Sequence, residues 1–92
     1  MLCFESQAHY TRLLTQQVYK FCNLSIGDLE SRLNNQQFLR VHRRFIVNVK
    51  AVSELERIGS KTQVVIGDKS RTIVPVSRGE LGKLKLLLGL QR

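Results

Sequence analysis

Tryptophan is absent from this 92-residue chain and aromatic residues make up only 7% of it. Modules that bind single-stranded RNA by stacking bases on a sheet face need more aromatic side chains than that. The two cysteines, Cys3 and Cys22, show no CxxC or Cys/His spacing, which argues against a zinc site or a disulfide framework and for buried small hydrophobes. No apolar run reaches membrane-spanning length, and the first residues lack a basic segment followed by an apolar one. The chain therefore reads as soluble and cytoplasmic, without membrane contact. There is also no Gly-rich phosphate loop, no GxSxG and no HExxH. The carboxylates Glu5, Asp28, Glu30, Glu54, Glu56, Asp68 and Glu80 fall in polar helix, loop or turn contexts, away from the apolar pockets that make acid–base pairs. His9 and His42 could in principle join Glu5 in acid–base work, but nothing in the sequence brings them together. A non-enzyme without cofactor or metal is the expectation.

Acidic charge is scarce as well. Seven Asp and Glu stand against 15 Lys and Arg, a net charge of +8 with a pI near 10.2, which favours a phosphate-rich polymer or another anionic surface as partner. The length allows one small domain, and 42% hydrophobic residues suffice for its core. No repeat, linker or low-complexity segment divides it.

Along the chain, Leu2 to Glu5 is a short apolar segment, and Tyr10 to Cys22 suits two strand pieces joined near Gln16-Gln17 better than one helix. Ser25-Ile-Gly-Asp28 is a helix start: the Ser25 hydroxyl can accept from the first turn, and Asp28 complements the positive helix end. Ile26, Leu29 and Leu33 follow at helical spacing, and Asn34-Asn35 closes a short amphipathic helix near 25–33 that should lie as a lid on a sheet. After Asn48, a polar link from Ser53 to Ser60 with a turn at Gly59 leads to a hairpin, Thr62–Ile66 and Thr72–Val76, around Gly67-Asp68-Lys69-Ser70-Arg71. Pro75 places the second of these strands at an edge. Ser77-Arg-Gly-Glu80 resembles a cap opening a C-terminal helix near 78–90, with Leu81, Leu84 and Leu88 on one face and Leu86, Leu87 and Leu90 widening the apolar surface. The expected fold is mainly β, with two helices.

The densest chemistry lies in Phe-Leu-Arg-Val-His-Arg-Arg-Phe-Ile-Val-Asn, residues 38 to 48. Aromatic and β-branched residues flank Arg40, His42, Arg43 and Arg44, which crowd too closely for all to be paired by nearby acids. Two further polar breaks carry Gln7, His9, Tyr10 and Arg12, and Ser77 and Arg78. Arginine forks suit guanine edges and phosphate oxygens, Gln suits adenine, and hydroxyls suit phosphates. His42 is equally readable as a structural imidazole, Asn48 as an amide bonded to backbone, and Lys83 and Lys85 as a solvated helix face.

Three pieces, Phe4-Glu-Ser6, the 38–48 block and Ile73-Val-Pro-Val-Ser-Arg78 with its Leu-rich tail, together resemble the LytTR (LytR/AlgR-type) DNA-binding domains of bacterial transcriptional regulators. Order and spacing match across nearly the whole chain. The resemblance implies small stacked β-sheets with a short helix, whose loops enter the major groove of double-stranded DNA at direct-repeat sites. By position, the contact loops fall around Gln7 to Thr11, on Arg43 and on Arg78, the same three breaks. It further implies that residues 1–92 form one domain of a longer regulator, C-terminal to a sensor or receiver domain, with the family's opening strands falling before Met1. Such a domain is expected to be monomeric in isolation and to place two copies on each DNA site. Two other readings remain: a basic RNA-binding or ribosome-associated module, and a protein-interaction domain that uses the Leu-rich C-terminal helix.

Overall fold

Cys3 and Phe4 are neighbours on one strand and so point to opposite faces of its sheet, and both are buried, which makes that sheet the middle layer of the molecule. A computed structural model describes residues 3–6, 11–14, 19–22, 24–67 and 72–89. Its strands β1 (Cys3–Ser6), β2 (Thr11–Leu14), β3 (Tyr19–Cys22), β4 (Phe38–His42) and β5 (Phe45–Asn48) form an antiparallel sheet in the order β3-β2-β1-β5-β4. Strands β6 (Val52–Ile58), β7 (Lys61–Ile66) and β8 (Thr72–Val76) form a second antiparallel sheet in chain order. The fold is mainly β, as the residues and the resemblance imply.

Register explains how both faces of the first sheet are filled. Cys3 lies opposite Val47, and both turn toward the second sheet, where they meet Val64, Ile66, Val74 and Val76. Phe4 lies opposite Ile46, and both turn the other way, onto helix α1 (Ile26–Arg32), where they meet Ile26 and Leu29. The Phe4 and Phe38 rings lie tilted there, with centroids 6.1 Å apart. Helix α1 is thus the expected lid. Its first turn is capped as expected, since the Asp28 N–H donates to Ser25 Oγ at 3.1 Å. It ends at Arg32 with Leu33 as its C-cap, two residues before Asn34, whose Oδ1 instead accepts from the Gln36 N–H at 2.9 Å in the following turn.

The C-terminal helix seals the inter-sheet core. A 3-10 turn, Arg78–Glu80, leads into α2 (Leu81–Leu88), which ends where Gly89 takes φ of +76° and donates to the Leu86 carbonyl. Leu84 is fully buried and Leu81 and Leu88 pack around it, as their shared face predicts. Leu84 and Leu88 thus fill the gap between the sheets as core and are not surface open to a partner. Leu86 does remain exposed. Ser77 corrects the capping expectation in part: its carbonyl, not its hydroxyl, accepts from the Glu80 N–H, at 3.0 Å.

The polar link expected over Ser53–Ser60 is largely β6. An edge strand with one face to solvent can be as polar as this one, and a register shift between Val52 and Glu54 breaks the alternation by which a strand is recognised. Glu54 and Glu56 therefore lie in a strand, and Glu5 lies in β1, instead of in loops. Gly59, with φ of +63°, starts the two-residue turn from β6 to β7, which fits a type II′ hairpin. The β7–β8 hairpin has the expected register, with Ile66 opposite Thr72, and Pro75 sits on its edge strand opposite Gln63. Residues 68–71 of its loop lie outside the described residues.

Candidate nucleic-acid interface

Residues 43 and 44 turn the chain between β4 and β5, with a register shift between Arg40 and His42 that buries Val41 completely. Two backbone bonds tie the other breaks to this turn. The Ser6 N–H donates to the Arg44 carbonyl at 2.7 Å, and Ser6 is the register partner of Thr11, so the chain leaves and re-enters the sheet beside Arg44. The Ser77 N–H donates to the Val41 carbonyl at 2.7 Å, which brings the end of β8 against the same strand. Three segments far apart in sequence thereby open at one end of the molecule. Gln7, His9 and Tyr10 lie outside the described residues.

Within that end the arginines fare differently. Arg12 and Glu5 are opposite one another on β2 and β1 and form an ion pair. The second Glu5 oxygen lies 3.6 Å from an Arg44 amine nitrogen, which also approaches the Ser6 carbonyl at 3.5 Å. Arg40 shares its face with Ile46 and so points toward α1, where it pairs with Glu30 at 3.2 Å and donates to the Arg43 carbonyl at 2.6 Å. Its Nε is buried with no partner among the described residues, a mark of a guanidinium packed into the structure. Arg43 and Arg78 are exposed, and no described residue pairs with either side chain.

His42 is half-buried. Its Nδ1 accepts from the Arg44 N–H at 3.2 Å, which leaves Nε2 to carry the proton of the neutral ring, and the ring meets Phe45 edge-on at 5.7 Å. It thereby shapes the turn, and with Ser77 and Arg78 it borders an open cleft. Asn48 is bonded to backbone as expected, accepting from the Lys50 N–H at 3.0 Å. Cys3 is buried, and desolvation first and Glu5 second, opposed by Arg12, push its thiol up to about 11, so it stays protonated and inert. The Cys22 side chain lies outside the described residues. Among the described residues no group of His, Cys, Asp and Glu could hold a metal, and no helix is long and apolar enough to cross a membrane.

Glu5 was not visible in the sequence as the acid that occupies two arginines. Its spacing from Arg44 carries no local signal, and only the β1–β5 pairing brings them together. The β6–β7 turn was overlooked as part of this end: Ser60 and Lys61 border the same cleft as His42, Ser77 and Arg78. Arg57 and Lys61 on either side of Gly59-Ser60 were the available clue.

A two-sheet β domain with rigid backbone supporting exposed arginines at the turns of one end defines a loop-based binding module for anions. The model of the LytTr DNA-binding domain family matches residues 1–89, and the chain belongs to that family. It is 40% identical over 87 residues to the heme-containing CO-sensing transcriptional regulator RcoM 2 of Paraburkholderia xenovorans, a match covering 95% of this chain and 33% of that one. It is 36% identical over 76 residues to the sensory transduction protein LytT of Enterococcus faecalis, covering 82% of this chain and 30% of that one. Among solved structures, the LytTr DNA-binding domain of a Bacillus cereus protein described as a methyl-accepting/DNA response regulator superposes with a TM-score of 0.81 at 25% identity, covering 96% of this chain and 80% of that one. The chain spans about a third of the length of these curated relatives.

Proposed function

We propose that this chain binds double-stranded DNA sequence-specifically as the DNA-binding part of a cytoplasmic transcriptional regulator. The observation that carries this reading is the convergence at one end of the molecule of the 43–44 turn, the Ser77-Arg78 segment and the strand ends flanking residues 7–10, with no described residue paired to the Arg43 or Arg78 side chain there. Membership of the LytTr DNA-binding family supports it. In this reading the loops enter the major groove, Arg78 reads a guanine edge, Arg43 a second base, and Arg44 the backbone. Gln7, His9 and Tyr10 supply the first contact loop with Arg12 beside it at the start of β2, and Ser77 and His42 support the third and second. The relatives, about three times as long, support a sensor or receiver domain elsewhere in the full-length regulator. A LytTr DNA-binding domain is a non-enzymatic regulatory domain.

A domain this small touches few base edges, so discrimination against genomic competitors calls for two copies on direct repeats about one helical turn apart. The isolated chain is then monomeric. Sites selected from a random duplex pool should contain paired half-sites, and inserting about 5 base pairs between them should weaken the second binding event while single-half-site affinity holds. A stable dimer in sedimentation without DNA, or indifference to the insertion, would refute the paired arrangement. Failure to enrich any duplex sequence would refute specific DNA binding itself.

A further inference from the structure

The positive charge at this end that no described carboxylate pairs with does not stop at Arg43 and Arg78. The β6–β7 hairpin closes there too. Arg57 is opposite Thr62 and Thr62 opposite Val76, so the three form one row across the second sheet, and Lys61 lies one residue beyond Thr62 as Ser77 lies one beyond Val76. Ser60 and Lys61 share an open cleft of about 450 Å³ with His42, Ser77 and Arg78. Both Arg57 and Lys61 are exposed, and no described carboxylate pairs with either. Their neighbour Glu56 is engaged across the sheet, accepting from Gln63 Nε2 at 3.3 Å. The Nε of Arg57 donates to the Gly59 carbonyl at 3.3 Å, which holds the guanidinium stem across the turn and leaves its terminal N–H groups without a described partner. Ser60, exposed in the turn between them in sequence, adds a hydroxyl as a further donor.

We propose that this hairpin end is an additional DNA contact, in which Lys61 and Arg57 bind backbone phosphates of the duplex beside the base edge reached by Arg78. The inference rests on the DNA-binding reading above. Phosphate is the fitting ligand for chemical reasons. A lysine is a mobile point charge suited to phosphate oxygens, and an arginine already bonded through Nε keeps its terminal amines for one oxyanion. Such contacts fix the placement of the domain along the duplex without reading sequence.

The test is a salt titration of the chain against a fluorescein-labelled duplex of random sequence, roughly 30 base pairs long, read by fluorescence anisotropy. Lys61→Ala and Arg57→Ala should each reduce the slope of log affinity against log salt by about 0.9, which makes the loss in affinity about threefold larger at the low end of a fourfold salt range than at the high end. Lys61→Arg should keep the slope. Lys50, exposed beyond the opposite end of β6, is the control, and Lys50→Ala should leave the slope unchanged. Arg57→Ala gives up a turn contact, so its thermal melt is recorded alongside, and Lys61→Ala with its Lys61→Arg rescue decides the matter if that melt falls. Slopes unchanged in Lys61→Ala, or reduced equally in Lys50→Ala, overturn the hairpin contact while leaving DNA binding intact. Absence of any wild-type binding to duplex at low salt instead overturns the reading on which it rests.

Discussion

Arg12, Arg40 and Arg44 occupy the same end of the molecule as Arg43 and Arg78 and carry the same charge, yet the first three are held by Glu5 and Glu30 and the last two by no described side chain. The difference comes from topology. Glu5 meets Arg12 and Arg44 because β1 pairs with both β2 and β5, and Glu30 meets Arg40 because α1 lies on the face that Arg40 shares with Ile46. Charge in a sequence is therefore not the charge a partner meets. The held arginines still contribute, since Arg40 ties helix α1 to the carbonyl of Arg43 and so steadies the turn that presents Arg43. One group builds the frame and the other is displayed on it.

The sharpest break in this comparison should come from Arg78. It stands just after β8, where Ser77 is tied to Val41, so its backbone is held while its exposed side chain has no partner among the described residues. Arg78→Ala should cost on the order of 1–3 kcal/mol at a selected duplex site and much less on random duplex. Anisotropy titrations on both duplexes measure this. An equal loss on the two would make Arg78 a phosphate contact and place it with the hairpin cations.

Much of this frame was legible in the sequence because its signals are local. Aromatic and β-branched runs marked β4, β5, β7 and β8, the Ser25-to-Asp28 spacing marked the start of α1, and Pro75 marked an edge strand. Strand β6 was missed because its bulge disrupts alternation and its solvent face is rich in charge. The site was legible as three breaks, but not as paired and unpaired arginines. Pairing depends on contacts such as Arg44 to Ser6, 38 residues apart in the chain, for which no local pattern exists.

A smaller effect should separate Arg43 from Arg44, adjacent in sequence and different in surroundings. Arg43→Ala removes a cation that no described residue pairs with, and the salt slope on random duplex should fall by about 0.9, with discrimination at a selected site falling as well. Arg44 is already shared with Glu5 and the Ser6 carbonyl, so Arg44→Ala should lower the slope by less and leave discrimination nearly intact. Identical slopes for the two variants would show that Arg44 leaves Glu5 on binding, and the division drawn from the free chain would not survive contact with DNA.

Glu5→Gln should give the smallest effect, and in the opposite direction. Glu5 faces two guanidinium groups, and its side chain is 18% exposed, so its charge is only partly screened by solvent. The amide keeps the size of the side chain and can still accept a hydrogen bond, while the negative charge disappears. Arg12 and Arg44 would then present more of their charge outward. Affinity for random duplex should rise and the salt slope should steepen by up to about 0.9, while stability in urea falls by roughly 0.5–1 kcal/mol. The two signs matter jointly, because a variant that is merely loosened would lose both stability and affinity. If affinity for random duplex drops in Glu5→Gln despite a preserved fold, Glu5 positions Arg12 and Arg44 toward the DNA instead of reducing the charge they present.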